Sequence, residues 1–216
     1  MFRNYFKIAF RNLLKHKLHT GINLIGLSLG LGVGILIFFF VQLELSFDTF
    51  HQDLDRIYRI KTHERIDGEM TETYSSPVIL EAAFREEFPQ IEAISGVTNA
   101  EVQAILPDHS TQTQRIRLVH ADFLKILTFP LLKGDQSNQL LDRYTIVITE
   151  ETASKYFGSE EPIGKSIQLK MGEDFVDFRV TGVLKNPPVN NSIPFEILMP
   201  IKNMDYFSDQ ESLDSW

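Results

Sequence analysis

The chain has 216 residues, 43% of them hydrophobic and 23% charged, with a net charge of -8. That composition excludes a collagen-like, low-complexity or wholly disordered polypeptide, and the acidity argues against nucleic acid as a partner. With no cysteine there is no disulfide scaffold, thiolate zinc site or cysteine nucleophile.

The charge is unevenly spread. Residues 1–43 carry Arg3, Lys7, Arg11, Lys15 and Lys17 and no acid, while the other 173 residues hold the remaining 16 basic and all 29 acidic residues. Such asymmetry points to different surroundings for the two parts. Arg3, Lys7, Arg11 and Lys15 recur every four residues, a basic stripe on one side of a helix. Phe2, Tyr5, Phe6, Ala9, Leu13 and Leu14 fill much of the rest of its surface. Residues 1–17 are therefore expected to form a cytoplasmic amphipathic helix whose cations meet anionic membrane lipid.

From Leu18 to Leu43 there is no charged residue. The apolar run Ile22–Leu43, as a helix, spans about 33 Å, enough for the hydrocarbon core of a bilayer. A cleaved signal peptide would need a shorter apolar stretch and a small-x-small site, and Val41–Phe47 offers none. A transmembrane helix is thus expected over 18–46. The basic residues before it predict a cytoplasmic N-terminus and an extracytoplasmic main domain, 47–216. Within the span, Gly26, Gly30 and Gly34 fall four apart, and Ser28 with Gly32 repeats the interval. Small residues at this spacing let a second helix approach closely, so these five are the candidate packing face.

Beyond the membrane a helix is expected to continue over Glu44–Leu54. Strand patterns follow at Arg56–Lys61, Glu69–Tyr74, Ala100–Leu106, Gln114–His120, Tyr144–Thr149, Ser166–Lys170, Phe175–Leu184 and Phe195–Pro200. Helices are expected over Ser76–Phe88, Ala121–Leu127 and Glu150–Phe157, the last closed by Gly158. Met171–Asp174 reads as a hairpin turn. The fold class is α+β: an amphipathic helix and one transmembrane helix, then a mixed α/β extracytoplasmic domain.

Little in the sequence points to catalysis. Gly158–Ser166 looks like a phosphate loop, but five residues separate its glycines where four are needed, and it follows a helix. It reads as a helix-to-strand turn. The six histidines form no metal pair and are expected at the surface. Asp48, Asp53 and Asp55 near His51 are expected on the solvated side of a short amphipathic helix whose apolar side is Phe47, Phe50, Leu54 and Tyr58. Asn190-Asn191-Ser192 matches a weak glycosylation sequon. No enzyme activity, metal site or cofactor is expected in this chain.

Several strings together resemble the MacB/FtsX-like permeases of ABC transporters, in the large form of Bacteroidetes-type bacteria. They are Phe6–Leu18, Ile22–Gly30, Glu44–Arg59, Tyr156–Lys165, Val180–Leu184 and Asn186–Pro188. Each is weak alone, and their order and spacing make the match specific. The resemblance implies a MacB-like periplasmic core domain between the first two of at least four membrane helices. It further implies an inner-membrane permease acting as a homodimer with a separate ABC ATPase subunit, which binds the ATP. Such permeases transmit ATP-driven motion to the periplasmic domain for efflux or substrate release. The family's domain runs further than Trp216 before its next helix, so the resemblance implies a fragment, truncated at its C-terminus. Two other readings stay open: an FtsX-like regulator of a cell-wall hydrolase, and a single-pass anchored binding domain.

Overall fold

The charge-free stretch satisfies its backbone polar groups internally by forming a helix. In a computed structural model, which describes residues 2–66, 68–74, 76–77, 80–135 and 139–208, α1 spans Phe2–Lys15 and α2 spans Lys17–Leu45. They meet at His16 (φ -111°, ψ 54°), where the Thr20 hydroxyl donates back to the Leu13 carbonyl at 3.0 Å. Among the described residues α2 is the one helix long and apolar enough to cross a membrane. The chain divides into two compact units, Met1–Phe47 and Asp48–Trp216.

The helix expected to run on to Leu54 stops at Leu45. The Ser46 hydroxyl takes the Leu43 carbonyl at 2.7 Å, and Asp48 and Asp53 adopt left-handed backbone (φ 58° and 56°). Aspartate tolerates that region better than most residues. A single 3-10 turn follows at Leu54–Arg56. The strand expected over Arg56–Lys61 has no ladder partner among the described residues. Its side chains are spent elsewhere: Arg56 pairs with Glu92, and the Arg59 guanidinium lies 4.1 Å above the Tyr74 ring. Pairing begins at β1, Thr62–Ile66, antiparallel to β2, Glu69–Thr73.

The remaining strands make one sheet: β3 (Val97–Ile105), β4 (Thr111–Val119), β5 (Leu131–Gly134), β6 (Thr145–Thr149), β7 (Ser166–Met171), β8 (Asp174–Leu184) and β9 (Ile197–Pro200). Their order is β5-β8-β6-β9-β4-β3-β7, and β7 pairs back onto β8. Six strands therefore form a ring, closed between β3 and β7 by the single pair Ala104↔Leu169. The expected hairpin joins β7 to β8 through Gly172 (φ 63°) and Glu173. Glycine suits the first position of a two-residue turn.

Helices are short. The one expected over Ser76–Phe88 is observed as α3, Leu80–Glu87. Ser76 and Pro77 are not helical, and residues 78–79 lie outside the described set. The one expected over Ala121–Leu127 contracts to α4, Phe123–Ile126. α5 forms over Glu150–Phe157 as expected, its N-terminus capped by Thr149, whose hydroxyl accepts from the Thr152 amide. β1, β5 and a 3-10 helix at Ile201–Tyr206 also form where no element was expected.

Alternation along the strands produces two cores. The larger draws on every strand of the ring, through residues such as Ala104, Ile116, Ile148, Leu169, Phe178 and Met199. The smaller lies on the opposite face of β6 and β9, where Val147 and Leu198 meet Phe123, Phe129 and Phe195. A bulge in β8 shifts its register between Val180 and Gly182, so Val180 and Val183 both join the larger core despite their odd spacing. β6 and β9 are buried throughout.

Gly134 closes β5 against β8 at φ 103°, and a Cβ there would sit 2.3 Å from the Thr181 carbonyl oxygen. Gly134→Ala should cost about 1–3 kcal/mol, read as a lower urea midpoint for the detergent-solubilised chain. An unchanged midpoint would mean that β5 contributes nothing to the fold.

Candidate functional site

The residues singled out in the sequence lie on α1 and α2. Arg3, Lys7, Arg11 and Lys15 are exposed along α1. Gly26, Ser28, Gly30, Gly32 and Gly34 are exposed on α2, and a Cβ built at any of the four glycines meets nothing within 4 Å. No residue of α2 is buried. The stripe and the glycine face are thus uncovered surfaces on successive helices.

A second feature escaped the sequence reading. The segment from Asp48 to Arg56 is strapped to the sheet unit at two points. At the first, the Asp48 amide donates to the Asn190 carbonyl at 2.9 Å, and Asp48 Oδ1 accepts from the Ser192 amide at 2.8 Å. At the second, the Gln52 amide donates to Thr128 Oγ1 at 2.9 Å, and the Thr128 amide donates to His51 Nδ1 at 3.1 Å. The receiving loop is itself fixed, because Asn191 bonds both the amide and the carbonyl of Ile193.

Between the two fastenings the strap contributes to the smaller core. Phe50 packs against that cluster. His51 is 7% exposed, with its ring centroid 4.1 Å from that of Phe50 and 5.3 Å from that of Phe129. Burial lowers the His51 pKa below the ordinary histidine value, against the opposing pull of the Asp48 carboxylate. No amphipathic helix forms here. Leu54 and Tyr58, expected on its apolar side, are exposed, and Asp48 is engaged with backbone. His51 and His120 also depart from the surface placement expected for histidines, since both find acceptor roles far along the chain.

His120 belongs to a polar cluster joining α3 to α4. The Gly96 amide donates to its Nδ1 at 2.9 Å, and its Nε2 lies 3.5 Å from Glu81. Arg85 pairs with Glu81 and, at 2.6 Å, with Asp122, which also receives Lys125 at 2.7 Å. Burial alone would raise the Asp122 carboxyl, but Lys125 and Arg85 outweigh it and hold the group below the usual carboxylate range. α3 has no buried residue of its own, and this cluster ties it to the start of α4.

The remaining concavities are modest. A groove of about 390 Å³ lies beside the start of α5, with Gln114, Arg115, Lys155 and Glu196 in its wall. Another of about 210 Å³ lies over His120 and Arg85. The phosphate-loop lookalike is a turn from α5 into β7. Its Gly158 and Gly164 amides are taken by Ser154 and Val180, and Lys165 pairs with Glu160. Among the described residues no three His, Asp or Glu converge as metal ligands.

A family model described as the MacB-like periplasmic core domain matches residues 20–215. No curated protein sequence matches the chain. Among solved structures, it is similar to a domain of a protein from Porphyromonas gingivalis named as a permease, at 26% identity and a TM-score of 0.57. That match covers 72% of this chain and 64% of the other, so the chain spans just under two thirds of that domain's length. It also resembles the periplasmic region of MacB from Actinobacillus actinomycetemcomitans, at 16% identity and a TM-score of 0.46, covering 60% of this chain and 57% of that one. The extracellular domain of the noncanonic ABC-type transporter YknZ from Gram-positive bacteria matches at 14% identity and a TM-score of 0.48, covering 67% and 73%.

Replacing Asp122 with Asn should cost about 1 kcal/mol at neutral pH, the exposure of Arg85 screening the pair. The folded-state pKa of Asp122 is depressed. Its contribution is therefore complete above the unfolded carboxyl value and is lost as pH falls through the folded one. Urea unfolding of wild type and Asp122→Asn should differ at neutral pH and converge in acid. Equal stability at neutral pH would dismiss the cluster as a tether.

Proposed function

Because this chain belongs to the family of MacB-like periplasmic core domains of ABC-type permeases, we propose that it forms part of the membrane subunit of an ABC transporter. In this reading α2 crosses the inner membrane with the N-terminus in the cytoplasm, and the sheet unit lies in the periplasm. A separate ABC ATPase binds and hydrolyses ATP, and two copies of the permease act together. Motion generated on the cytoplasmic side reaches the periplasmic unit and drives efflux or substrate release. The chain itself carries no catalytic group in this scheme.

One observation supports this above the others: the family match begins at residue 20, within the charge-free helix, and runs through the sheet unit to 215. The span and the outer domain thus go together as one family module. The roles of individual residues follow from physical chemistry. Gly26, Ser28, Gly30, Gly32 and Gly34 leave room for a neighbouring membrane helix, where close van der Waals packing replaces the absent hydrophobic drive. Arg3, Lys7, Arg11 and Lys15 hold α1 at the anionic inner surface, each cation contributing about 1 kcal/mol. The strap gives the polypeptide leaving the membrane a fixed attachment to the sheet.

Gly30→Leu in the full-length permease should leave membrane insertion intact and reduce recovery of the co-purifying ATPase roughly tenfold, the consequence of about 1.4 kcal/mol lost from helix packing. Unchanged co-purification together with unchanged transporter ATPase activity would refute the packing face.

A further inference from the structure

The second fastening of the strap depends on the protonation state of one side chain. His51 Nδ1 accepts from the Thr128 amide, so the lone pair on that nitrogen must be free and the neutral ring carries its proton on Nε2. Protonation turns both ring nitrogens into donors and sets an N–H against the N–H of Thr128. It also puts a positive charge between the rings of Phe50 and Phe129, with 7% of the residue exposed. We propose that His51 is a proton-sensitive latch: the strap is fastened to Thr128 while the imidazole is neutral and is released there when the imidazole is protonated.

The surroundings fix the sign. The charged group facing the ring is Asp48, on the same segment, and it favours the protonated form. Its Oδ1, however, is engaged by the Ser192 amide. The walls contributed by the loop after α4 are the neutral Thr128 and Phe129. Burial wins, and the ring titrates below the ordinary histidine value. A histidine with a depressed folded-state pKa gives its full stabilisation above the unfolded value of about 6.5, and the stabilisation fades as pH falls through the folded one. The first fastening, Asp48 to Asn190 and Ser192, involves neither nitrogen of the imidazole, so protonation of His51 loosens one end of the strap and spares the other.

The latch rests on the permease reading for its purpose, since it would disengage the periplasmic unit in acid. Its chemistry does not require that reading, and the test uses the strap alone, so either can fail without the other.

The test is amide exchange by NMR on the full chain in micelles, with the His51 ring resonances followed in the same samples. As pH falls from about 7.5 through the His51 titration, protection of the Thr128 and Gln52 amides, corrected for intrinsic rates, should fall at least about tenfold, with the midpoint of that titration. The Asp48 and Ser192 amides should keep their protection. H51Q, whose neutral carbonyl can accept from Thr128, should abolish the pH dependence. If H51Q does not fold, D48N decides. Asparagine tolerates the left-handed backbone and still accepts from Ser192, while the loss of charge should move the midpoint to lower pH. Protection that stays flat through the His51 titration, that falls equally at both fastenings, or that keeps the wild-type midpoint in D48N would overturn the latch.

Discussion

Two strands, β6 and β9, are buried on both faces, and much of the sheet unit follows from covering them. A half-exposed strand needs one apolar partner layer, whereas Thr145–Thr149 and Ile197–Pro200 need two. Closure of the ring supplies the first, through Ile116, Leu169 and Phe178. The second is supplied from outside the sheet, by Phe123 of α4, by Phe129 and Phe195 from loops, and by Phe50 from the strap. The aromatic rings meet at centroid separations of 5.0 Å for Phe129–Phe195 and 5.8 Å for Phe123–Phe129, typical of favourable pairs. The residues shortly after α2 are therefore part of the core of the sheet unit and not a passive linker.

That arrangement gives physical content to the string Glu44–Arg59, the most distinctive part of the family resemblance. Asp48 is there because its carboxylate binds a backbone amide 144 residues away while its own backbone turns left-handed. His51 is there because a neutral imidazole both fills an aromatic site and accepts the Thr128 amide. Phe50 covers the outer core. Any pull on the polypeptide at Asp48 meets two pairs of hydrogen bonds and a packed aromatic cluster. Such an attachment suits a family whose members work with ABC ATPase subunits.

Much of the fold was legible in the sequence because it is local. Tyr144–Thr149 and Phe195–Pro200 read as strands from their apolar runs, the β7–β8 hairpin from its Gly-Glu turn, and α5 from Thr149 at one end and Gly158 at the other. The charge-free span needed only counting. What failed depended on distant partners. Glu44–Leu54 has helical periodicity, yet the helix ends where Ser46 and Asp48 find other hydrogen bonds. Arg56–Lys61 alternates like a strand, but its backbone has no ladder partner among the described residues, and Arg56 and Lys61 pair through their side chains with Glu92 and Glu72 instead. Leu131–Gly134 is too short to announce itself and is held by the backbone of β8. The buried His51 and the half-buried His120 looked like any surface histidine, because their partners, Thr128 and Gly96, lie 77 and 24 residues away. The candidate site divides in the same way: glycine spacing and basic spacing are visible in one dimension, and the strap is not.

The strap should resist force as an integral part of the sheet unit. The chain contains no cysteine, so single-cysteine handles at Ser46 and Ser208 allow it to be stretched in optical tweezers without ambiguity. If the strap is fastened as described, at neutral pH the first extension event is unfolding of the sheet itself. A separate low-force step of about 30 Å, the length released when residues 48–56 peel away, with the sheet still folded behind it, would mean that the strap is not fastened to the sheet.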